Sequence, residues 1–338
     1  MNQDKIIHHA TVLNFLEAAV KNNRLAHAYI FNGQEGIGKF MVAKRFASLL
    51  LCAKRVNAKA TSFDSICHVC ASCNQIAKDI SPEVFVVKKD DAKKYISVDM
   101  ARDLIQQLLT KSFDERFKII IIDEAHNLNA GAANALLKTL EEPSIPVVMI
   151  LVTSNINALP KTVISRTQVI NFFPVPSDNI FRRLIELGID RDRALILSRL
   201  AFGSPGKVLR YVTDSYLLND YKGLITQLVD LVMAGLKDRF VIGATLLPHK
   251  AGSFNETGQA LGRVLDSWLL VLRDVMLLQS NNNQAIVHVF VLDKLQTIAS
   301  KFSIAHICKL MRKIEESKRD LKTNVLPQLI FENILVNF

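Results

Sequence analysis

The distribution of apolar residues along the chain predicts a change of architecture near its middle. In the first half, five short apolar runs alternate with longer segments in which apolar residues recur at helical spacing. The runs are residues 28–33, 84–88, 118–123, 147–153 and 168–173. Strands that alternate with helices are typical of a parallel sheet with helices on both faces. The first half is therefore predicted to be an α/β domain.

Beyond about residue 175 the pattern becomes almost wholly helical. Two segments end at Gly188 and Gly203, as helices commonly do. Farther along, Leu, Val and Ile recur at helical spacing, and AIVHVFVL at 285–292 is ambiguous between strand and helix. We therefore predict three domains. They are an α/β domain over 1–173, a small helical domain over 174–213 and an all-helical domain over 214–338.

Composition and charge narrow the class of protein. The chain has 338 residues, of which 49% are hydrophobic and 22% charged, as in globular proteins with two or three domains. Its net charge of +10 permits a polyanionic partner such as DNA without establishing one. The apolar runs at 119–122 and 147–152 are too short to cross a bilayer, and the N-terminal residues lack a signal-peptide pattern. We expect a cytoplasmic protein.

A glycine-rich segment, IFNGQEGIGKF at residues 30–40, follows the first predicted strand. It has the spacing G-x-x-x-x-G-K of a phosphate-binding loop, with Gly33, Gly36, Gly38 and Lys39. Such a loop continues with Ser or Thr, whose hydroxyl holds the Mg²⁺ of a bound nucleotide, whereas Phe40 stands here. Because Mg²⁺ demands a shell of oxygen atoms, Phe40 argues against productive nucleotide binding.

Two carboxylates follow the third predicted strand. The string IIIIDEAHNLN, at 119–129, leads from four apolar residues directly to Asp123 and Glu124. Ligands of open α/β sheets gather at the carboxyl ends of the strands. In nucleotide hydrolases the Asp supports Mg²⁺ and the Glu polarises the attacking water. Together with the glycine-rich loop, these residues predict a nucleotide site that is degenerate at Phe40.

Four of the five cysteines form the pattern C-x14-C-x2-C-x2-C, and Cys308 stands apart. The four are Cys52, Cys67, Cys70 and Cys73. C-x2-C spacing lets two thiolates reach one tetrahedral ion, and four thiolates close the site, which predicts a structural metal centre. Free buried cysteines or a redox pair would explain the pattern without a metal.

Three longer strings identify a family. GAANALLKTLEEP at 131–143, VTSNINALPKTVISRTQ at 152–168 and HAYIFNGQEGIGK at 27–39 together resemble the clamp-loader branch of the AAA+ ATPases. The last residues, SKRDLKTNVLPQLIFENIL at 317–335, are similar to the closing helices of that family's collar domain. The resemblance implies that the three predicted domains are an AAA+ P-loop sheet domain, a small helical lid and a helical collar.

The resemblance also implies roles for individual residues. Ser165-Arg166-Thr167 stands where the family has Ser-Arg-Cys, whose arginine reaches the ATP site of a neighbouring subunit as an arginine finger. A local ion pair is the alternative role for Arg166. Gly206 falls where ATP-hydrolysing members carry a sensor arginine. Bacterial clamp loaders place a zinc module after the first helix of this domain, which matches the cysteines at about 52–73 and implies structural Zn²⁺. The first gap between cysteines is usually shorter in that family, which makes His68 an alternative to Cys52 as the fourth ligand.

The retained and missing features indicate a former ATPase within a five-subunit clamp loader of the DNA polymerase III holoenzyme. The resemblance implies gamma/tau ATPase subunits, a delta subunit and the sliding clamp as partners, with primed DNA bound through the assembled complex. The chain itself is expected to be neither a polymerase nor an active ATPase. Two alternatives remain. One is an ATP-hydrolysing gamma/tau-type subunit that tolerates Phe40, and the other is a zinc-dependent DNA-binding protein that uses a basic helix at 301–322.

Overall fold

The computed structural model describes most of the chain and divides it into two compact units. The described residues are 6–54, 61–88, 95–109, 117–129, 131–133, 135–136, 146–247, 254–321, 323 and 325–337. The first unit comprises Met1–Gly188 and Ala201–Lys207, and the second comprises Ile189–Leu200 and Val208–Phe338. The finer division into three domains stays a prediction.

The first unit is built on a five-stranded parallel sheet, which confirms the predicted fold class. Its strands are β1 (Ala28–Asn32), β2 (Val84–Val87), β3 (Lys118–Ile122), β4 (Val147–Thr153) and β5 (Gln168–Asn171). Each strand lies within one of the predicted apolar runs. The order across the sheet is β2-β3-β4-β1-β5, and every pairing is parallel. Strands β3 and β4 are buried along their whole length, as expected for a parallel sheet covered on both faces.

Helices and short turns connect the strands of the first unit. The helices are α1 (Ala10–Lys21), α2 (Lys39–Leu51), α3 (Ala71–Ala77), α4 (Val98–Leu109), α5 (Lys161–Ile164) and α6 (Ser177–Glu186). Single 3-10 turns occur at Phe63–Ser65, Ala125–Asn127 and Ile156–Ala158. Of the helix predicted at 131–143, residues 131–133 and 135–136 are helical, and Ala133 and Leu136 join the core beside the sheet. Residues 137–143 lie outside the described part of the chain.

The second unit is helical and packs around one long helix. Its helices are α7 (Arg191–Leu200), α8 (Pro205–Thr213, which begins in the first unit), α9 (Ser215–Met233), α10 (Leu236–Leu246), α11 (Phe254–Gln279), α12 (Leu292–Lys301), α13 (Ile304–Asp320) and α14 (Pro327–Val336). Helix α11 places Trp268 at the centre of the core. The ambiguous run at 285–292 contains a 3-10 turn at Val289–Val291 and enters α12. None of the described helices is long and apolar enough to cross a membrane.

Candidate functional site

The glycine-rich segment lies against a cavity at the carboxyl edge of the sheet. The segment connects β1 to α2, and Gly38 precedes the helix with a φ of 105°, a conformation that glycine adopts readily and other residues do not. The cavity has a volume of about 310 Å³. Among the predicted site residues it is lined by Gly36, Gly38, Lys39, Asp123 and Glu124. The structure thus brings together five of the six residues predicted for a nucleotide site, and Gly33 lies at the beginning of the loop.

Lys39 is held inside the loop by the loop's own carbonyl groups. Its Nζ donates to the carbonyl oxygens of Gly33 at 2.6 Å and Gln34 at 2.7 Å, and the residue is only 6% exposed. Burial lowers the pKa of Lys39 to about 8, although the charges of Asp123 and Glu35 oppose this shift. The ammonium group is therefore positioned at the cavity, with a proton that it loses more readily than a solvated lysine.

The two carboxylates make mainly local contacts. The Asp123 backbone N–H donates to the Val87 carbonyl at 2.9 Å, which continues the pairing of β3 with β2 beyond the strand. Glu124 adopts a φ of 49°, and its side chain accepts a hydrogen bond from Asn127 Nδ2 at 3.0 Å. Asp123 Oδ1 accepts the Glu124 backbone N–H at 3.0 Å. Both carboxylates line the cavity, and the tie to Asn127 directs one oxygen of Glu124 towards its own turn.

The residues beside Lys39 do not fit the Mg²⁺ ion that phosphate-binding loops hold. Phe40 lines the cavity at the position where the metal-binding hydroxyl would stand. The Lys88 ammonium lies 4.5 Å from the centroid of the Phe40 ring. Mg²⁺ requires near-octahedral oxygen ligands, whereas Phe40 presents an aromatic ring to the cavity. That this position prevents productive nucleotide binding stays a prediction.

The segment around Gly206 packs directly on the glycine-rich loop. The Gly206 N–H donates to the Gly36 carbonyl oxygen at 2.8 Å, and Ser204 Oγ donates to the Glu35 carbonyl oxygen at 2.9 Å. A Cβ atom at position 206 would lie 2.8 Å from the Gly36 oxygen. This contact requires glycine at the position where ATP-hydrolysing clamp-loader subunits are expected to carry an arginine.

Arg166 lies on the surface, just after the short helix α5. Its Nη1 donates to the Thr162 carbonyl oxygen at 3.1 Å, and the residue is exposed. Thr167 Oγ1 donates to the carbonyl oxygens of Val163 and Ile164, so the threonine anchors the turn that carries the arginine. Arg166 is not among the described residues that line the cavity of its own chain.

The four cysteines of the predicted metal centre meet at one point. Their sulfur atoms all lie within 4.8 Å of one another, and the cluster comprises Cys52, Cys67, Cys70 and Cys73. The Sγ atom of Cys67 is 3.5 Å from that of Cys52 and 4.0 Å from that of Cys73. A tetrahedron with Zn–S bonds near 2.3 Å has sulfur atoms about 3.8 Å apart. The donor set therefore fits a four-thiolate metal site.

Local structure prepares the cysteines for this geometry. Cys52 follows the last residue of α2, and Cys70 caps α3, where its sulfur accepts the Cys73 backbone N–H at 3.5 Å. Hydrogen bonds from the backbone N–H groups of Val69 and Cys70 lower the pKa of Cys67 to about 6, which favours the thiolate that binds metal. His68, the alternative fourth ligand, is not a member of the cluster among the described residues.

Some contacts at the site were not predicted from the sequence. Lys88 directly follows β2, and its position next to β3 in a parallel sheet was the signal that could have indicated it. The interactions of Ser204 and Gly206 join distant parts of the chain and left no local pattern. In the basic helix, Lys318 is paired with Asp266 at 2.8 Å and with Glu315 at 3.7 Å, so this lysine is not a solitary charge available to DNA.

Comparison with protein families gives two matches along the chain. The family described as "DNA polymerase III, delta subunit" matches residues 8–176, which is half of the chain. The family described as "DNA polymerase III, delta subunit, C terminal" matches residues 250–338. The two matches fall on the sheet-containing unit and on the helical unit, respectively.

Individual relatives are subunits of bacterial DNA polymerase III. The delta' subunit of Bacillus subtilis is 26% identical over 96% of this chain and 94% of its own length. The tau subunit of the same organism is 26% identical over 95% of this chain, which spans only 58% of that relative. The delta' subunit of Pseudomonas aeruginosa is 37% identical over 42% of this chain and 41% of its own length. Of these three relatives, the one that this chain matches along nearly the whole of both sequences is a delta' subunit.

Proposed function

Because the chain belongs to the DNA polymerase III delta-subunit family as a delta-prime-like clamp-loader subunit of DNA replication, we propose that it hydrolyses no ATP itself. We further propose that it supplies Arg166 to the ATP site of a neighbouring subunit. The observation that carries the proposal is a mismatch within one domain. The chain's own cavity does not fit Mg²⁺ at Phe40, while Arg166 lies on the surface and away from that cavity.

The absence of hydrolysis follows from two positions of the site. Phe40 leaves Mg²⁺ without a hydroxyl ligand, and Gly206 leaves the phosphates without an arginine that would compensate their charge. Lys39, Asp123 and Glu124 remain, so the site keeps the general form of a nucleotide site. Transfer of a phosphoryl group depends on positioning and charge stabilisation, which the remaining residues supply only in part.

Partners are inferred from the relatives, which are delta', gamma and tau subunits. We infer that the chain assembles with gamma/tau ATPase subunits and a delta subunit into a ring, and that the ring opens the sliding clamp and places it on primed DNA. Contact with DNA is made through the assembled complex. The cysteine cluster holds one structural Zn²⁺ that fixes the segment after α2.

The test of this function is a reconstituted clamp loader that carries Arg166→Ala in this subunit. Loss of one part of the total ATPase activity, with a larger loss of clamp loading, supports the role in trans. The second candidate is an ATP-hydrolysing gamma/tau-type subunit, which the retained placement of Lys39 favours. ATP turnover by the isolated chain that disappears in Lys39→Ala would identify that second candidate.

A further inference from the structure

Two segments that are far apart in the sequence meet beside the cavity. Residues 34–36 belong to the glycine-rich loop, and residues 202–206 lead into the first turn of α8. We propose that these residues form a latch, which holds that turn on the loop without a bound nucleotide. The latch deepens the proposed function, on which it rests, because a subunit that hydrolyses no ATP then keeps this turn in one place while its neighbours bind and hydrolyse ATP.

Two side chains of the latch donate hydrogen bonds in opposite directions. Gln34 Nε2 donates to the Phe202 carbonyl oxygen at 2.8 Å, and Ser204 Oγ donates to the Glu35 carbonyl oxygen at 2.9 Å. Ser204 is only 6% exposed, so water is a poor substitute for its acceptor. A buried hydroxyl that loses its partner keeps the full cost of its desolvation. Each segment therefore stabilises the other through a donor of its own.

The loop also caps the helix that follows the second segment. The first N–H groups of a helix have no acceptor within the helix, and a serine directly before the helix commonly provides one through its side chain. Here the Ser204 hydroxyl donates to the loop instead. The Gly36 carbonyl oxygen accepts the N–H of Gly206, the second residue of α8, at 2.8 Å. The first turn of α8 thus depends on the loop for part of its hydrogen bonding.

The backbone of the second segment is strained where it meets the loop. Phe202 has a φ of 48°, a left-handed conformation that is unfavourable for a bulky residue. Such strain persists only where the surrounding contacts hold it, and it is frequent in segments with a switching or clamping role. The Phe202 carbonyl is held by Gln34, and the Lys207 ammonium lies 5.3 Å from the centroid of the Phe202 ring. The strain is therefore a sign, independent of the other hydrogen bonds, that this segment is fixed in one conformation.

Glycine at two positions allows the segments to approach this closely. Gly36 has a φ of 72°, and a Cβ atom on it would collide with Ser204 Oγ. A Cβ atom at position 206 would lie 2.8 Å from the Gly36 carbonyl oxygen. Every donor and acceptor of the latch belongs to the chain itself. The latch consequently requires neither a nucleotide nor a metal ion to form.

Amide hydrogen exchange of the isolated full chain tests the latch. Selective labelling of glycine with ¹⁵N allows the Gly206 amide to be followed by NMR. We expect this amide to be protected in EDTA without nucleotide, and its protection not to change when ATP and Mg²⁺ are added. Exchange at the rate of an unprotected amide would overturn the proposal. Protection that develops only with ATP and Mg²⁺ would overturn it as well, because the nucleotide would then hold the turn.

Variants test the two side chains separately. Ser204→Ala and Gln34→Ala each remove one hydrogen bond, so each should accelerate exchange at Gly206 about fivefold. The control is Ser198→Ala, because Ser198 is also buried but donates only to the Leu195 carbonyl oxygen among the described residues. Exchange at Gly223, in α9, should be the same in all variants. Unchanged exchange at Gly206 in both latch variants, or equal acceleration at Gly223, would contradict the latch.

ATP turnover by the same samples separates the latch from the proposed function. A chain with an unprotected Gly206 amide and no ATP turnover would overturn the latch alone. A chain that hydrolyses ATP while Gly206 is protected without nucleotide would overturn the proposed function alone.

Discussion

The backbone N–H of Gly206 donates to the Gly36 carbonyl oxygen at 2.8 Å, so a residue of the segment after Gly203 is hydrogen-bonded to the glycine-rich loop. A Cβ atom at position 206 would meet this oxygen at 2.8 Å and the Gly36 Cα atom at 3.2 Å. Both are backbone atoms of a packed loop and cannot rotate away. The contact therefore makes glycine a structural requirement at this position.

Gly206→Ala should consequently destabilise the protein by about 1–3 kcal/mol, the usual cost of forcing an extra methyl group into a packed site. The matched control is Gly223→Ala in α9, where an added Cβ would meet nothing within 4 Å. That substitution should stabilise the helix by about 0.5–1 kcal/mol, because alanine is the better helix former. Urea denaturation of the three proteins measures both changes. A Gly206→Ala protein as stable as the wild type would show that the loop around Gly36 can move to accept the methyl group without loss of stability.

The cysteine cluster predicts about one equivalent of zinc in protein purified without added metal, as expected for one closed four-thiolate site. Cys73→Ser should lower the zinc content and the melting temperature together, because the metal stabilises only the folded chain. Cys308→Ser is the control, since Cys308 is not part of the cluster. His68→Ala should keep the zinc, because the fourth sulfur comes from Cys52. Elemental analysis decides both points, and metal-free wild-type protein would contradict the prediction.

The sheet could be predicted from the sequence because its signals are local. The run Ile119–Ile122 is buried throughout β3, and apolar runs of this length have few other uses in a globular chain. The run around His288 was ambiguous for a physical reason. Its conformation is set by Asp274, which accepts hydrogen bonds from the backbone N–H groups of Val287 and His288 at 3.0 and 2.8 Å. Because this hydrogen-bond partner lies 14 residues away in the chain, it leaves no periodic pattern in the sequence.

In the candidate site, too, local motifs could be predicted from the sequence and contacts between distant residues could not. The loop, the carboxylates and the cysteines could be predicted because each motif is continuous or nearly so in the sequence. The contact between Lys88 and Phe40 joins residues 48 positions apart, as their numbers show, and it depends on the register of β2 with β3. Both strands carry apolar residues on both faces, so their binary patterning does not specify that register.

Asp274 and His288 should be a main source of stability in the helical unit. Both are fully buried, and the carboxylate also accepts a hydrogen bond from His288 Nδ1 at 2.8 Å, while His288 Nε2 is 2.9 Å from the Tyr221 hydroxyl. Burial, with the nearby Tyr211 and Asp274, raises the pKa of Tyr221, which keeps this hydroxyl protonated as a hydrogen-bond donor. Asp274→Ala would leave three buried donors without an acceptor.

We expect Asp274→Ala to cost at least about 3 kcal/mol, because each buried donor left without an acceptor costs about 1–3 kcal/mol. Asp230→Ala is the control. Its ion pair with Lys294, at 2.6 Å, is about half exposed, and such pairs contribute only about 0–1 kcal/mol. Denaturation followed by circular dichroism measures the two losses. Equal losses in the two variants would show that the buried network adds nothing beyond a surface pair.

The arginine motif and the glycine-rich loop give different indications of whether this domain has simply lost its function. If the domain had only lost its ATPase activity, the arginine motif would be as free to change as Phe40, yet the chain keeps Ser165-Arg166-Thr167. A role in trans would explain why the arginine motif is present beside a changed loop, because the arginine would then act on the nucleotide of the next subunit. Its exposure and its place outside the chain's own cavity agree with such a role.

Arg166→Ala should therefore silence one ATP site of the reconstituted loader and leave the others active. An arginine finger contributes on the order of 10³–10⁵ in rate at the site that it serves. Total ATPase activity should fall by a fraction, and clamp loading should fall further because it needs coordinated sites.

The melting temperature of the isolated subunit should not change, since the arginine is exposed. Arg166→Lys should restore little of the lost ATPase and clamp-loading activity, because lysine keeps the charge without the planar fork of donors. Arg182→Ala, a change at an exposed arginine in α6, is the matched control. A loader with Arg166→Ala that hydrolyses ATP and loads clamps at the wild-type rate would show that the neighbouring site does not use this arginine.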